Sequence, residues 1–251
     1  MRLAVFSDVH GNLSALEALL ADIAGESVDE IVFAGDLCLM GPRPAACVDR
    51  VRDLGCPAVY GNTDDWLLGR QQAPAHLADL ADWIDAQLDA GQRSWLDGLP
   101  FARSVSAGES GVDSLLIVHA NPQDVNQIIF PPEEDQLARY GRVRQADGEL
   151  DELLSGIESN TVAFGHLHIP FVRSWDQVQL FNISSASMPG DGDPRAKYGL
   201  FTWEGDGWTF ERRYVPFDMA SETAAFGTHK PPGWQNFAET IAAHGCVPQN
   251  V

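Results

Sequence analysis

Residues 3–12 read LAVFSDVHGN, in which four apolar residues are followed within four positions by Asp8 and His10. A short apolar run of this kind is typical of a strand that is buried on both faces. Asp8 and His10 are two residues apart, so in an extended chain both side chains point to the same side. The segment therefore predicts a buried strand that carries two metal-type ligands at its carboxyl end.

The same arrangement recurs four times further along the chain. Short apolar runs precede Asp36, Asn62, His119, and the pair His166 and His168. Residues 13–23 and 48–54 have apolar residues at helical spacing between the early runs, so we expect alternating strands and helices in a parallel α/β core. Functional side chains of such sheets gather beyond the carboxyl ends of the strands. These residues are therefore expected to converge with Asp8 and His10.

Each of the later positions also has an ordinary structural alternative. Asp36 follows a glycine and is compatible with a simple turn, Asn62 with a helix N-cap, and His119 with a hydrogen-bonded core histidine. Four of the seven histidines of the chain nevertheless fall at predicted strand ends. The joint occurrence of these residues favours a metal site over seven unrelated roles.

The rest of the chain predicts one domain with two additions. Residues 74–99 show a helical stripe of Leu77, Leu80, Ile84 and Leu88 and are interpreted as a helical insertion. Apolar segments at 171–175, 178–183, 198–203 and 208–215 predict strands, the last two joined by a hairpin turn at Asp206-Gly207. The polar, weakly periodic tail after residue 217 is interpreted as coil with one short helix. We therefore expect a catalytic domain at 1–217 and a C-terminal extension at 218–251, packed on the domain or partly coil.

The composition excludes several classes of protein. Asp and Glu number 36 against 16 Lys and Arg, a net charge of −20, so nucleic acid is an improbable partner and an anionic substrate needs a local positive centre such as a metal. No apolar run reaches a membrane-spanning length, and Asp8 interrupts any signal peptide, so a cytoplasmic location is expected. The four cysteines lack C-x-x-C spacing and are expected to be reduced; they are Cys38, Cys47, Cys56 and Cys246.

Taken together, the motifs D-x-H, G-D, G-N-x-D, V-H and G-H-x-H resemble the signature of the calcineurin-like metallophosphoesterases. Within that superfamily the chain resembles the small bacterial and archaeal phosphodiesterase-like group, because residues 7–13, 165–171 and 191–195 followed by Tyr198 also read as that group does. The resemblance spans about residues 1–215. It implies an α/β fold with a central β-sandwich flanked by helices, in four layers α/β/β/α.

The resemblance also implies a centre of two metal ions. It assigns Asp8, His10 and His168 to the first ion, Asn62, His119 and His166 to the second, and Asp36 to a bridge between both. Mixed imidazole and oxygen ligands suit Mn, Fe, Zn or Ni better than Mg²⁺ or Ca²⁺. The expected cofactors are therefore two divalent or transition-metal ions.

The expected activity is hydrolysis of small phosphodiesters by a metal-bound hydroxide, with Asp36, Asn62 and His119 in the catalytic machinery. Thr63 stands where many relatives have a catalytic histidine, and threonine cannot act as a general acid near pH 7, so diesters or activated aryl esters should be preferred over alkyl monoesters. Asn62 and Arg195 are candidate phosphate contacts, although an ion pair with a nearby aspartate is an equal interpretation of Arg195.

Other functions and residues stay open from the sequence. The alternatives are a phosphomonoesterase, of the protein-phosphatase or dinucleotide polyphosphate type, and a non-catalytic metal-binding scaffold. Asp64 is either a first-turn helix acid or an auxiliary site residue, and the insertion that carries His76 could fold over the cleft. His229 and His244 lie outside the motifs. Residues 182–185 read NISS where relatives commonly have N-P-G-S.

Overall fold

The computed structural model of the chain describes residues 1–107 and 111–243. The strands are β1 (Arg2–Phe6), β2 (Glu30–Ala34), β3 (Ala58–Val59), β4 (Ala102–Ser106), β5 (Ser114–Val118), β6 (Thr161–Phe164), β7 (Phe171–Trp175), β8 (Val178–Asn182), β9 (Ala196–Trp203) and β10 (Trp208–Val215). The α-helices are α1 (Leu13–Ile23), α2 (Pro44–Leu54), α3 (Asn62–Leu67), α4 (Ala78–Asp85), α5 (Ala90–Asp97), α6 (Glu133–Tyr140), α7 (Leu150–Leu153), α8 (Met219–His229) and α9 (Trp234–Ala243). His244 and Cys246 lie outside the described residues.

Two five-stranded sheets pack face to face in the centre of the molecule. The first has the order β10-β9-β1-β2-β3, and the second has the order β4-β5-β6-β8-β7. Strands β1, β2 and β3 are parallel, as are β5, β6 and β8. The inner faces share an apolar cluster that includes Val5, Val32, Ile117, Phe181 and Phe201. Helices α1, α2, α4 and α5 cover the outside of the first sheet and α7 covers the second, which confirms the predicted α/β/β/α layers.

Local sequence accounts for the early helices. Helix α1 begins after Asn12, whose side chain accepts a hydrogen bond from the Ala15 amide. Helix α2 has Pro44 in its first turn and ends at Gly55, which has a φ of 65°. The start of both helices and the end of α2 therefore follow from local residues, and their apolar faces pack on the sheet.

The segment predicted as a helical insertion at 74–99 contains two helices, α4 and α5. The side chain of Asp89 accepts a hydrogen bond from the Gln92 amide and caps α5, which separates that helix from α4. Leu80, Ile84 and Leu88 are buried against the core, as the predicted stripe requires. The insertion is therefore packed on the first sheet.

The prediction that the tail after residue 217 is largely coil is wrong. Helices α8 and α9 pair there around a small apolar cluster of Phe226, Ala238 and Ile241. In α8 the buried apolar face depends on one large side chain, Phe226, and most neighbouring apolar residues are alanines. Its hydrophobic periodicity is correspondingly weak, and tertiary contacts supply what the sequence pattern lacks.

A buried acid fastens the C-terminal helices to the body of the protein. Glu222 of α8 is fully buried, accepts a hydrogen bond from the Ser14 amide at 3.2 Å, and forms an ion pair with Arg43. Arg43 also donates to the Ser14 hydroxyl at 2.8 Å. This cluster joins α8 to the start of α1 and to the residue before α2.

We expect Glu222→Ala to lower the free energy of unfolding by about 3 kcal/mol, because it leaves the partly buried Arg43 and the Ser14 amide without their acceptor. Urea denaturation measures the change. Glu17→Ala is the matched control, since Glu17 pairs with Arg50 on the exposed surface and should cost less than about 1 kcal/mol. Equal effects of the two substitutions would contradict the fastening role.

Among the described residues, no helix is both long and apolar enough to cross a lipid bilayer. Cys38, Cys47 and Cys56 are free thiols, as expected.

Strand β4 was not predicted, because only Val105 of its five residues is buried and an edge strand of this kind shows little apolar patterning.

Candidate metal centre

The seven predicted ligands come from loops that follow strands of both sheets. Asp8 and His10 follow β1, Asp36 follows β2, Asn62 begins α3 after β3, His119 follows β5, and His166 and His168 follow β6. Parallel strands end at the same edge of each sheet, and the face-to-face packing brings the two edges together. The structure therefore places these side chains in one region.

Three of them form a first compact group. The Nε2 atoms of His10 and His168 lie 3.1 Å apart, and His168 Nε2 lies 3.1 Å from Asp8 Oδ1. His10 Nε2 lies 3.7 Å from the same carboxylate oxygen. Asp8 and His10 are almost fully buried, while His168 is partly exposed at the edge of the group. One ion could contact all three ligand atoms.

A second group shares Asp8 with the first and includes Asp36 and His119, with ligand atoms within 4.8 Å of one another. Asp36 turns its two oxygens to different histidines, because Oδ1 lies 3.4 Å from His119 Nε2 and Oδ2 lies 3.8 Å from His10 Nε2. Asn62 Oδ1 lies 3.0 Å from His119 Nε2. Asp36 is thus positioned between the two groups.

Backbone carbonyls fix the orientation of the histidine rings. The Nδ1 atoms of His10, His119 and His168 lie 2.9–3.0 Å from the carbonyl oxygens of Leu39, Ala34 and Met188, respectively. A carbonyl only accepts, so each Nδ1 donates to its carbonyl and each Nε2 is turned towards the site.

His166 is oriented the other way round. Its Nε2 lies 2.9 Å from the Asn126 carbonyl, which leaves Nδ1 as the nitrogen with the lone pair. The ring of His166 lies 5.1 Å from that of His119, centre to centre, although His166 belongs to neither compact group. It therefore adjoins the second group from the outer side.

Burial and neighbouring charges shift the pKa values of several of these groups. Burial, with the nearby charge of His168, lowers the pKa of His10 to about 3. Burial, with the nearby charge of His119, lowers the pKa of His166 to about 3. Burial opposes the ionisation of Asp8, but His168 outweighs it and holds the pKa of Asp8 below its usual range. Burial opposes protonation of His119, but the charges of Asp36 and Asp8 outweigh it and raise its pKa. Imidazole nitrogens and carboxylate oxygens therefore converge at distances down to 3.1 Å, a set of groups that fits a metal ion.

Burial also raises the pKa of Asp36, and the neighbouring charge of Asp8 adds to the effect. The backbone amide of Thr63 compensates in part, because it donates to Asp36 Oδ1 at 2.9 Å. The Thr63 side chain is itself buried beside this carboxylate. The charge of His119, 3.4 Å from Asp36 Oδ1, also opposes the effect of burial but does not cancel it.

Asp64 has both of the roles considered from the sequence. Its carboxylate accepts from the Gly61 amide at 2.9 Å, which caps α3, and from the Asp36 and Leu37 amides at 3.0 and 3.2 Å. Burial, with the charge of Asp36, raises the pKa of Asp64 to about 6. Asp64 is therefore a positioning residue that holds the Asp36 loop.

The backbone at the ligands is unusual. Five of the seven have positive φ angles in the left-handed region: Asp8 at 56°, His10 at 49°, Asp36 at 63°, His166 at 63° and His168 at 61°. Tertiary hydrogen bonds hold this conformation; the Asp8 amide, for example, donates to the Gly35 carbonyl at 2.9 Å. Such backbone costs on the order of 1 kcal/mol per residue, and its concentration here indicates a functional site.

Two glycines allow the loops to approach each other closely. A Cβ atom on Gly61 would collide with the Asp36 carboxylate, and one on Gly165 would collide with Asp8 Oδ2 and the Ser7 side chain. The glycines of the G-N and G-H motifs are therefore required by the packing of the ligands themselves.

The loop after β8 supports the ligands, a role that the sequence alone did not reveal. Asn182 donates to the Gly165 carbonyl at 2.7 Å, Ser184 Oγ donates to the His168 carbonyl at 2.7 Å, and Ser185 Oγ donates to the Asp8 carbonyl at 2.9 Å. Ser184 has a φ of 72°, at the position where the related N-P-G-S pattern has glycine. Serine at this position thus makes a hydrogen bond that glycine cannot make, but it strains the backbone.

We expect Ser184→Gly to be more stable than Ser184→Ala by about 1 kcal/mol, because both lose the hydroxyl group but only alanine keeps the left-handed strain. Urea denaturation of the two variants measures this difference, with the wild type as reference. The same stability in both would show that the backbone at Ser184 is not strained.

Arg195 lies outside the metal-ligand groups. Its guanidinium pairs with Asp193, with Nε 3.0 Å from Oδ1, and lies over the ring of Tyr214. Of the two interpretations from the sequence, the structure favours the ion pair.

The sequence pattern did not indicate a role for the neighbouring Lys197. This lysine is buried, and its Nζ donates to Asp191 Oδ1 at 3.0 Å and to the Asp193 carbonyl at 2.7 Å. These hydrogen bonds fix the loop.

A cavity of about 710 Å³ adjoins the ligands His166 and His168. The insertion contributes His76, Leu77 and Leu80 to its wall, so the structure places His76 beside the cleft. Helix α9 of the C-terminal extension contributes the opposite wall. His229, at the end of α8, does not line this cavity.

Comparisons with known proteins agree with this geometry. The profile of the calcineurin-like phosphoesterase superfamily domain matches residues 1–206. A crystal structure of a metallophosphoesterase from Sphaerobacter thermophilus superposes with a TM-score of 0.74 and 27% identity, covering 97% of this chain and 100% of that one. Phosphodiesterase YfcE of Escherichia coli is 26% identical over 80% of this chain and 86% of its own length. A symmetrical bis(5'-nucleosyl)-tetraphosphatase of Bordetella pertussis is 36% identical over a shorter region, 45% of this chain and 41% of its own.

The family profile covers most of the chain, and it includes all seven residues that form the candidate centre. The layered sheets agree with the solved relative over nearly the full length of both chains. The chain therefore belongs to the calcineurin-like phosphoesterase superfamily.

Proposed function

We propose that the protein is a phosphodiesterase that depends on two metal ions. One observation carries the proposal: His168 Nε2 lies 3.1 Å from both His10 Nε2 and Asp8 Oδ1, and Asp36 lies between this group and a second one around His119. Two adjacent groups of imidazole and carboxylate side chains suit the pair of cations used for in-line displacement at phosphorus.

In this proposal Asp8, His10 and His168 hold one ion, while Asn62, His119 and His166 hold the other. Asp36, whose two oxygens face His10 and His119, would contribute to both sites. The carbonyl contacts of the four histidine rings fix which nitrogen is available as a ligand. The mixture of imidazole, carboxylate and amide ligands favours Mn, Fe, Zn or Ni.

Two bound cations would draw an anionic phosphate to an acidic protein and lower the pKa of water enough to supply a nucleophile near neutral pH. The chain itself positions the side chains that surround the two sites. Asp64 and the Thr63 amide hold the Asp36 carboxylate in place. Asn62 can donate from its amide nitrogen to a phosphate oxygen while its Oδ1 faces the centre.

The preference for diesters follows from Thr63. A threonine hydroxyl donates a hydrogen bond but does not protonate a leaving alkoxide near pH 7, and such protonation contributes about 10²–10⁴-fold to a rate. Substrates with good leaving groups lose least by its absence. We therefore propose activated diesters as better substrates than alkyl monoesters.

The test uses the full-length protein, stripped of metal and reloaded separately with Mn²⁺, Zn²⁺, Fe²⁺ and Ni²⁺. We expect two equivalents of metal per chain, and faster hydrolysis of bis(p-nitrophenyl) phosphate than of p-nitrophenyl phosphate. A clear monoester preference would overturn the proposed specificity. Binding of metal without hydrolysis of any ester would instead indicate a scaffold.

A further inference from the structure

We propose that the cavity beside His166 and His168 binds an uncharged, mainly apolar or aromatic group that is esterified to the scissile phosphate. The inference rests on the proposed phosphodiesterase function and names the class of substrate. An aryl or nucleoside group belongs to this class, whereas a group with further phosphates does not.

The position of the cavity connects it with the reaction. Its wall includes two proposed metal ligands, His166 and His168, so a phosphate held at the metal centre would have one ester arm directed towards the cavity opening. The volume, about 710 Å³, is within the range of pockets that enclose small organic ligands. The cavity therefore has room for a substituent much larger than a methyl group.

The chemistry of the wall defines what it can bind. Most of the lining side chains are apolar, and they include Met40, Leu80, Ile128, Ile169, Met188 and Phe237. The rings of Tyr140 and Phe237 offer flat surfaces to an aromatic ligand.

The charges of the wall exclude a polyphosphate arm. Within the described part of the chain, the lining includes neither lysine nor arginine, and its acid is Asp79. A second phosphate would meet no lysine or arginine side chain of the lining, in a protein whose net charge is −20. The cavity consequently favours a neutral arm over the polyphosphate chain of a dinucleoside polyphosphate.

The two sides of this cavity are held firmly in place. Phe237 of α9 packs against the Phe226 ring at 6.5 Å between centres and also contacts the main core. The buried Glu222 fastens α8, and with it the paired α9, to the body of the protein. On the opposite side, Leu80 is buried in the same core. The extension and the insertion thus present a preformed surface.

The experiment compares three diesters that share the p-nitrophenolate leaving group and carry a methyl, a phenyl or a thymidine 5'-arm. With the Mn²⁺-loaded protein, we expect kcat/KM for the phenyl and thymidine arms to exceed that for the methyl arm by about 10–100-fold, the value of burying a ring-sized apolar group. Phe237→Ala should bring this ratio close to 1. Gln235→Ala, an exposed position on the same helix and outside the lining, is the control and should leave the ratio unchanged.

A second variant keeps the test informative if Phe237→Ala does not fold. Thr240→Trp fills the cavity from its rim, and it should also abolish the preference for the larger arms. Binding without turnover gives an independent measurement: by calorimetry, phenylphosphonate should bind the Mn²⁺-loaded protein about 10–100-fold more tightly than methylphosphonate, with a negative heat-capacity change.

The outcomes separate the two proposals. If the wild type hydrolyses none of the three diesters, the phosphodiesterase function fails. If it hydrolyses all three with equal kcat/KM, the function stands and the inference about the cavity is overturned. Faster hydrolysis of a dinucleoside polyphosphate than of the thymidine diester would also overturn it.

Discussion

Asp36→Asn is expected to reduce kcat for diester hydrolysis by at least about 10²–10³-fold, the loss typical when a key electrostatic group is removed from a preorganised site. The substitution keeps the size of the side chain but removes the charge that faces both His10 and His119. It should therefore weaken both ion sites together. Steady-state kinetics and metal content per chain measure the effect, and we expect fewer than two equivalents of metal.

Misfolding is not expected to explain this loss. Asp36 is a buried acid that is repelled by Asp8 and itself repels Asp64, and this repulsion opposes folding of the metal-free protein. We expect metal-free Asp36→Asn to unfold at the same temperature as the metal-free wild type or higher. Asp97→Asn, which alters an exposed partner of Arg70, is the matched control and should retain full activity. Normal turnover by Asp36→Asn would argue strongly against the proposed bridge.

Gly165→Ala is expected to lower both stability and activity. The added Cβ has no room, because it would collide with Asp8 Oδ2 and the Ser7 side chain. Relieving the collision must move Asp8 away from His168 Nε2, its neighbour at 3.1 Å. We expect a loss of about 1–3 kcal/mol in the free energy of unfolding and a fall in kcat/KM of at least about 10²-fold, as for other displaced catalytic groups.

Gly148→Ala is the control for this experiment, since a Cβ there meets no atom within 4 Å and the residue does not have a positive φ. Denaturation and diester kinetics on the two variants isolate the effect of the collision. If Gly165→Ala behaved like Gly148→Ala, the close approach of the two ligand loops would not be needed for activity.

The placement of the ligands was largely predictable from the sequence. The apolar runs before Asp8, Asp36, His119 and His166 are strands, and strand ends in a parallel sheet converge whatever the intervening sequence. The alternation of β1, α1, β2, α2 and β3 follows from local periodicity and capping. These features depend on short-range patterns, which a single sequence displays.

Other features depend on contacts between distant residues and were not predictable in the same way. Helix α8 is stabilised by Glu222, whose partners Ser14 and Arg43 are about 200 residues earlier in the chain. Ser184 and Lys197 act on the backbone of neighbouring loops, and no spacing rule indicates such contacts. The insertion and the extension also line one cavity together, and neither segment's sequence indicates that the two are close in space.

The left-handed backbone of five proposed ligands restricts how the centre could change in evolution. Glycine, asparagine, aspartate and histidine tolerate this conformation best, whereas β-branched and long side chains do so poorly. At Asp8, His10, Asp36, His166 and His168 the available ligands are therefore limited by the main chain as well as by coordination chemistry. Asn62 and His119 do not share this conformation, so adaptation to a different metal by exchanging a ligand should occur most readily at these two positions.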